Sequence, residues 1–250
     1  MPTYEGDNTV MAKQAFSLIE KVLKNHKKGV KAQGLLAYLN DIDRLLTLQS
    51  DAKTVADVSD LAFLDLALSI RAALSVKQTT SKINASKDKK ENQKVIFNDL
   101  YAQDIVKMNK LHMMYQTFRH TYDVIVQNNF KDPNVRKVIE INARIFGLNQ
   151  LITDSHACFE TGFFKPGTTA LLEEAIDLAL RELRPYMVDL VELRGDYEDN
   201  SYMSAIGNQY GDCYERQLEW AMSSRLNKKK IPDYYEKHMK PIFHGYKQKL

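Results

Sequence analysis

Apolar residues recur every three or four positions through the middle of the chain, which is the spacing of one face of an α-helix. The clearest stretch consists of Phe97, Tyr101, Ile105, Met108, Leu111, Tyr115, Phe118, Tyr122 and Ile125. Because an α-helix has about 3.6 residues per turn, these side chains share one side of a helix. The pattern predicts one long amphipathic helix from Glu91 to Asn128.

A second stretch, from Val55 to Val76, has the same spacing but carries more apolar residues than one stripe needs. The stripe is Val55, Val58, Ala62, Leu66, Ile70, Ala73 and Leu74, and the additional residues are Leu61, Phe63, Leu64 and Leu68. A helix that is apolar on several sides is buried on several sides. We therefore expect this helix to contact more than one neighbour.

Residues that end helices are rare here, because no glycine or proline occurs between Gly34 and Pro133. The alternation with a period of two that is typical of strands is absent. Further helices are predicted at Thr9–Lys27, Gly34–Leu48, Asn134–Thr153, Thr168–Leu193, Cys213–Ser223 and Pro232–Phe243, with Pro133 and Pro232 in first turns. The predicted fold class is all-α, a helical bundle.

Two polar segments interrupt the apolar pattern. The run Ser81–Lys94 offers little to bury, so we expect a solvated connection or a frayed helix end. The polar residues between Ser50 and Ala56 indicate a boundary between a short leading segment, 1–54, and a larger bundle, 55–250.

Composition and charge exclude several classes of protein. The 35 basic and 32 acidic residues are spread along the chain, which does not indicate nucleic-acid binding. Cys158 and Cys213 lie far apart and outside any CxxC spacing, so neither a disulfide framework nor a zinc site is expected. No apolar run of about 18 residues and no leading basic-then-apolar segment occurs. We expect a protein that neither spans a membrane nor carries a secretion signal.

The interior of the chain offers little catalytic chemistry. No two of the six histidines have the spacing of a helical metal site, so no metal is predicted. His156 and Cys158 are two positions apart and would point in different directions on a helix. The lysines of Lys24–Lys31 and Lys228–Lys230 are read as solvated helix ends, and the aromatic residues Tyr197, Tyr202, Tyr210, Tyr214 and Trp220 as core.

The N-terminal segment is different. Glu5 stands next to Gly6, directly before a helix that Asn8 or Thr9 can cap. Taken alone, an acidic residue ahead of a helix is explained by the helix dipole. The same position would also place a carboxylate on a turn beside free backbone N–H groups.

The run Thr3-Tyr4-Glu5-Gly6-Asp7-Asn8-Thr9-Val10 resembles the Glu-Gly-(Asp/Glu)-Asn-Thr-Val segment of the peroxisomal acyl-CoA oxidases. About 200 residues later, a second segment looks like the closing signature of that family. It carries Gly207, Gly211, Tyr214, Glu215, Glu219, Trp220, Ala221, Leu226 and Asn227. Two matches in the right order are more specific than either alone. The resemblance implies a bundle like the C-terminal helical domains of that family.

By this resemblance, residues 1–54 are the end of the first C-terminal helical domain, with the catalytic-base motif, and residues 55–250 are the second. The family oxidises fatty acyl-CoA with FAD and O₂ to trans-2-enoyl-CoA and H₂O₂, in fatty acid β-oxidation. Glu5 takes the role of the base that removes the α-proton, and Gly6 leaves room for the substrate thioester. Asn8 and Thr9 are candidates for contacting the FAD of a partner subunit.

The tail Gln248-Lys249-Leu250 is similar to the tripeptide that addresses proteins to peroxisomes, although Gln248 replaces the usual small residue. Arg225 and Arg194-Gly195 also depart from the family pattern. The family's flavin-binding half would precede Met1, so we expect the isolated chain to be inactive. Expected partners are acyl-CoA and a second copy or a full-length oxidase. The alternative is a non-catalytic helical dimerisation module, or a truncated paralogue, that binds full-length oxidase.

Overall fold

The computed structural model describes residues 9–193 and 211–247, and every regular element in these ranges is helical. The prediction of an all-α fold is confirmed. The α-helices are α1 (Thr9–His26), α2 (Ile42–Leu45), α3 (Val55–Ser59), α4 (Leu61–Asp88), α5 (Gln93–Val95), α6 (Ala102–Gln127), α7 (Pro133–Thr153), α8 (His156–Glu160), α9 (Thr168–Leu183), α10 (Met187–Glu192), α11 (Cys213–Ser223) and α12 (Lys240–Lys247). The 3₁₀ segments are Gly34–Asp41, Arg184–Tyr186 and Arg225–Lys228, and the π-helical turns are Ile96–Leu100 and Tyr235–Met239.

The helix predicted from Val55 is divided in two at Asp60, whose backbone is extended. Thr54 and Asp57 form a capping box at the start of α3, with each side chain accepting from the other residue's backbone N–H. Asp60 then caps α4, because its Oδ2 accepts from the N–H groups of Ala62 and Phe63 at 3.1 Å. Thr54 and Asp60, six positions apart, therefore begin two successive helices, α3 and α4.

The polar run Ser81–Lys94 is not only a solvated connection. Helix α4 continues to Asp88, and within this run Ile83 is fully buried and Ser86 nearly so. The Ser86 hydroxyl lies 3.0 Å from the Tyr101 hydroxyl, at the beginning of α6. The last turns of α4 are thus part of the core despite their polar sequence.

The predicted helix Glu91–Asn128 is interrupted at its beginning. The π-helical turn Ile96–Leu100 and the non-helical backbone of Tyr101 separate α5 from α6. The extra residue of a π turn changes which side chains face the core, and Ile96 is fully buried there. The end is as predicted, because Asn128 adopts the left-handed conformation, with φ 52°, that closes α6.

The segment predicted as the helix Gly34–Leu48 is a 3₁₀ segment followed by the short helix α2. The side-chain amide of Asn40 binds the backbone of Ala32, which precedes this segment. It accepts from the Ala32 N–H at 2.8 Å and donates to the Ala32 carbonyl at 2.9 Å. Gly34 has a φ of 58°, which favours glycine. These local bonds compete with a regular helix start.

Contacts divide the chain into two units, Met1–Pro185 and Tyr186–Leu250. In the first unit, α4 and α6 pack on each other and run through two adjoining apolar clusters. One cluster gathers side chains from α4, α6, α7 and α9, and the other joins α1 to α4, α6 and the π turn. Eight residues of α4 from Leu64 to Ala73 are buried, as its all-round apolar sequence predicts.

In the described residues, the second unit contains α10, α11 and α12. A 3₁₀ turn and a π turn lie between α11 and α12. Tyr214 is 80% exposed, so the prediction that this aromatic residue packs in a core is wrong. Among the described residues, no helix is both long enough and apolar enough to cross a membrane. The boundary near residue 54 between two family domains stays a prediction.

Candidate functional site

Most of the predicted site residues precede the first described residue. Glu5, Gly6 and Asn8 lie outside the described residues, and so do Gly207 and the tail Gln248–Leu250. Thr9 is the first residue of α1. Helix α1 directly follows the Glu5 segment in the sequence.

Helix α1 lies against α6, with its apolar side in the second cluster. Phe16 and Ile19 are buried there beside Ile105 and Met108 of α6. The two α1 residues are three positions apart in the sequence and therefore share one helix face. Burial of such side chains contributes about 1.5–3 kcal/mol each, so α1 is firmly part of the first unit.

A buried amide connects α6 to the first turn of α1. The Nδ2 group of Asn109 donates to the Ala12 carbonyl at 2.8 Å and to the Ile105 carbonyl, also at 2.8 Å. Asn109 is 6% exposed. Sequence reasoning missed this residue, although a polar residue placed four positions after Ile105 in an apolar stripe is a signal that could have found it.

Polar and charged contacts hold α1 beside its buried face. Lys13 donates to the Asn98 side chain in the π turn at 2.7 Å. Further along, Glu20 accepts from Lys87 of α4 and lies 3.4 Å from Lys24. Burial alone would raise the pKa of Glu20, but the two ammonium groups outweigh it and hold the pKa below its usual value. The placement of Lys24 in the last turn of α1 agrees with the helix-end reading of that lysine group.

The beginning of α1 suits an anionic group. Its first turn contains no acidic residue, and the backbone N–H groups at a helix start favour negative charge. The contact of Asn8 and Thr9 with FAD stays a prediction. The described residues contain no group of three His, Cys, Asp or Glu side chains that could hold a metal ion.

A cleft of about 650 Å³ lies elsewhere in the first unit, between the 3₁₀ segment, α4 and α6. Arg119 bridges two of the three carboxylates in its lining, because it donates to Asp65 at 2.8 Å and to Asp123 at 2.6 Å. Burial raises the pKa of Asp65 although Arg119 opposes the shift. We read this cluster as a structural charge network between α4 and α6.

The pair His156 and Cys158 is not brought together as a nucleophile and base. Cys158 is fully buried, and burial raises the pKa of its thiol to about 12. His156 is exposed and lies 3.1 Å from Glu160 instead. A thiol of that pKa is protonated and unreactive at neutral pH.

Apart from Gly207, the closing signature maps to Gly211, to α11 and to the 3₁₀ turn after it. Gly211 has a φ of 73°, a backbone conformation that favours glycine. After α11, the Asn227 side chain donates to the Ala221 carbonyl at 2.9 Å and so ties the following 3₁₀ turn to the helix. These two residues of the signature thus have local structural roles.

Comparison with known proteins places the chain in one family. The sequence model described as acyl-CoA oxidase matches residues 60–244. The mouse peroxisomal acyl-coenzyme A oxidase 1 is 28% identical over 243 residues, and the human protein is 24% identical over the same length. Each alignment covers 96% of this chain and 36% of the relative. The chain therefore spans about a third of the length of the relatives it matches.

Solved structures agree with this assignment. The acyl-CoA oxidase LeACX1 of tomato is 25% identical, has a TM-score of 0.78, and is matched over 96% of this chain and 36% of its own. Acyl-CoA oxidase-1 of Caenorhabditis elegans, solved with FAD and ATP, is 18% identical with a TM-score of 0.75, over 97% of this chain and 36% of its own. The described helices thus have the fold of the matching third of these enzymes, and the chain belongs to the acyl-CoA oxidase family.

Proposed function

We propose that this chain is the base-bearing, C-terminal helical portion of an FAD-dependent acyl-CoA oxidase. The reaction converts a fatty acyl-CoA and O₂ to a trans-2-enoyl-CoA and H₂O₂, a step of fatty acid β-oxidation. The observation that carries the proposal is the match of residues 60–244 to the acyl-CoA oxidase family. The Glu5 motif, directly before a helix that is held on the bundle, supports it.

Glu5 is the proposed base for the α-proton of the acyl-CoA. A carboxylate surrounded by water is a weak base, whereas one from which the acyl chain has displaced water is stronger. The backbone N–H of Glu5 would donate to the thioester carbonyl, which acidifies the α-carbon. Gly6 has no side chain and would leave space for that approach.

Asn8 and Thr9 are proposed to contact the FAD of a partner subunit at the start of α1. The absence of acidic residues in the first turn of this helix supports that role. When bound, FAD supplies the acceptor for the hydride lost from the β-carbon and is reoxidised by O₂. Within this chain, the proposed work is confined to holding the thioester and removing the α-proton.

The flavin platform is proposed to come from a polypeptide part outside these 250 residues, either in a longer chain or in a full-length oxidase that binds this one. We propose association as a homodimer or with full-length oxidase, and a peroxisomal location. Location is supported by the relatives, which are peroxisomal oxidases by name, and by the tail Gln248-Lys249-Leu250.

A second candidate is a non-catalytic helical module that binds full-length oxidase. The observation that favours it is the coverage, because the chain matches only 36% of its relatives. The two candidates differ in one property: the base-bearing portion supports flavin reduction when a flavin-binding part is supplied, and the module does not.

The test is a fusion in which the N-terminal, flavin-binding part of tomato LeACX1 precedes Met1. Acyl-CoA should bleach the flavin of this fusion in a stopped-flow experiment. Glu5→Gln keeps the size of the side chain and removes its basicity, so acyl-CoA should still bind while flavin reduction slows by about 10³-fold or more. The chain alone should show no oxidase activity with or without added FAD.

Asp7→Asn is the matched control, since it also exchanges a carboxylate for an amide in the same segment. It should reduce flavin at the rate of the parent fusion. A fusion that binds FAD but is not reduced by acyl-CoA would favour the non-catalytic module. Normal reduction in Glu5→Gln would leave Glu5 as a helix-start residue only.

A further inference from the structure

We propose that the cleft between the 3₁₀ segment, α4 and α6 binds a small, uncharged, planar molecule that carries a carboxamide-like group. Such a group presents a hydrogen-bond acceptor and a donor side by side. The volume of the cleft, about 650 Å³, lies in the range of small-molecule sites. The inference does not depend on the proposed function, because its test needs neither flavin nor acyl-CoA.

The donor of the proposed site is the side-chain amide of Gln116. This residue lines the cleft, yet it is only 5% exposed. Among the described residues, its buried Nε2 group has no hydrogen-bond partner. An unpaired buried N–H group costs free energy in the folded chain. The last torsion angle of a glutamine side chain has a broad minimum, so the amide can adjust to a ligand carbonyl, which would supply the missing acceptor.

The acceptor of the proposed site is the carboxylate of Asp65, on helix α4. Arg119 donates to its Oδ2 at 2.8 Å, whereas the buried Oδ1 has no partner within the part of the chain that the structure describes. Gln116 and Arg119 are three positions apart and share one face of α6. The ion pair therefore holds Asp65 against the face of α6 that carries Gln116. A ligand N–H that donates to Oδ1 would satisfy the second unpaired atom.

Rings and aliphatic side chains also line the cleft and favour a flat ligand. Tyr38 and Tyr115 line it with their ring centroids 5.0 Å apart, together with Leu45 and Leu66. Water gains little from such apolar surface. The body of an aromatic or heterocyclic molecule can pack against it and displace that water. The polar pair and the apolar surface together describe a planar amide.

The charges of the lining disfavour an anionic ligand. With His120 neutral, the lining carries three negative and two positive side chains, Asp41, Asp65, Asp123, Arg44 and Arg119. Arg119 is already used by two of the aspartates. A phosphate or carboxylate would therefore meet more negative than positive charge. An uncharged ligand avoids this repulsion.

The first experiment titrates the isotope-labelled chain with benzamide and follows the titration by NMR. Benzamide carries a carboxamide on a flat ring, and a molecule this small should bind in the millimolar range. Acetophenone keeps the ring and the carbonyl but has no N–H, and benzoate replaces the amide by an anion. Each should bind at least about fivefold more weakly than benzamide, because acetophenone leaves Oδ1 of Asp65 unpaired and benzoate is repelled by the aspartates.

The second experiment changes the proposed donor. Gln116→Leu removes the amide and keeps an apolar side chain of similar size, so the Kd for benzamide should rise at least about fivefold, with helix content unchanged by circular dichroism. Gln103→Leu is the matched control, since it makes the same exchange at an exposed position of α6 outside the lining of the cleft. It should leave the Kd unchanged. In the parent chain, benzamide should shift the side-chain NH₂ signals that are missing from the spectrum of Gln116→Leu.

The proposal is overturned if acetophenone or benzoate binds as tightly as benzamide, or if Gln116→Leu retains the affinity of the parent chain. It is also overturned if none of the three molecules binds, because the cleft would then hold only water. If Gln116→Leu does not fold, Gln116→Met, which keeps the length of the side chain, takes its place. None of these outcomes affects the Glu5→Gln experiment, so the site and the proposed function can fail separately.

Discussion

The guanidinium of Arg71, in the middle of α4, donates from Nη1 to the carbonyl oxygen of Gln150 in the last turn of α7 at 2.5 Å. The same nitrogen lies 3.2 Å from the carbonyl oxygen of Asp154, and Nη2 lies 3.4 Å from the Gln150 side-chain oxygen. Arg71 is only 1% exposed. A cation at the carbonyl end of a helix interacts favourably with the negative end of the helix dipole. The buried Arg71 therefore caps the C-terminal end of α7.

Arg71→Met should lower the free energy of unfolding by about 2 kcal/mol or more, because the carbonyls at the end of α7 lose a charged donor. Arg71→Lys should be destabilised as well, since a single ammonium group cannot replace the two nitrogens of the planar guanidinium that contact the end of α7. Urea unfolding followed by circular dichroism is suitable, as the single tryptophan, Trp220, lies in the other unit.

The matched control for Arg71 is Arg181→Met, which replaces an exposed arginine on α9. It should change the unfolding free energy by less than about 0.5 kcal/mol. If both substitutions lowered the unfolding free energy equally, the loss of a positive charge, rather than the loss of the cap on α7, would explain the change.

His112 makes stability depend on pH. Its Nδ1 lies 2.9 Å from the Tyr38 hydroxyl, and burial lowers its pKa to about 4. The unfolded chain, with a histidine pKa near 6.5, binds the proton more readily than the folded chain. The stability that neutral His112 provides is therefore complete above about pH 6.5 and is lost as the pH falls towards 4.

His112→Gln removes this titration while keeping a side chain that can bond to Tyr38. Between pH 7 and pH 5, the parent chain should lose about 2 kcal/mol relative to the variant. Urea unfolding at both pH values measures the difference. His120→Gln, an exposed position on the same helix, serves as the control, and a similar change there would contradict the assignment to His112.

The sequence predicted the helical class and most helices because apolar periodicity survives in the structure. The features that the sequence did not predict are local interruptions of helices. Asp60 and the Thr54–Asp57 box restart a helix without any glycine or proline, and these capping signals were present in the sequence but are also common inside helices. The π turn at Ile96–Leu100 adds one residue to a turn, which a count of every third or fourth position does not resolve.

The candidate site could be predicted only in part. Glu5 is proposed from a resemblance alone, because one acidic residue before a helix has no chemistry of its own in the sequence, and its role stays a prediction. The hydrogen bond from Asn109 to Ala12 depends on how α1 lies against α6, and no local pattern contains that distance. Tyr214 was expected in a core and is exposed, since aromatic content does not distinguish a core from a surface that binds another molecule.

Association should involve the exposed face of α11. Tyr214, Leu218 and Met222 lie four positions apart on one side of this helix and are 80%, 64% and 74% exposed. Contiguous exposed apolar surface of this kind is typical of interaction sites. Light scattering at micromolar concentration should show a dimer of the chain, or a complex when full-length oxidase is added.

The double substitution Leu218→Glu and Met222→Glu should abolish this association without loss of helix content. Gln217→Glu adds a charge to the same helix beside the apolar face and should leave association intact. A soluble monomer that also ignores full-length oxidase would contradict both the association and the proposed partner.

Two helical glycines with different surroundings give a final test of how tightly α7 packs. A Cβ atom at Gly147 would lie 2.9 Å from Cε2 of Phe118 and 3.1 Å from Cδ1 of Leu64, whereas one at Gly245 in α12 would have nothing within 4 Å. Alanine stabilises an open helix position by about 1 kcal/mol relative to glycine, and overpacking a core costs about 1–3 kcal/mol.

The two effects oppose each other at Gly147, whereas only the helix gain applies at Gly245. Phe118 and Leu64 are both buried, and the nearest approach, 2.9 Å, is to a ring atom of Phe118, so we expect the packing cost to exceed the helix gain. Gly147→Ala should therefore lower the Tm by a few degrees in a thermal scan followed by circular dichroism, while Gly245→Ala leaves it unchanged or raises it slightly. If Gly147→Ala were as stable as the parent, α4 and α6 would have to move apart from α7 at little cost. The close contact of these three helices would then not be what holds the first unit together.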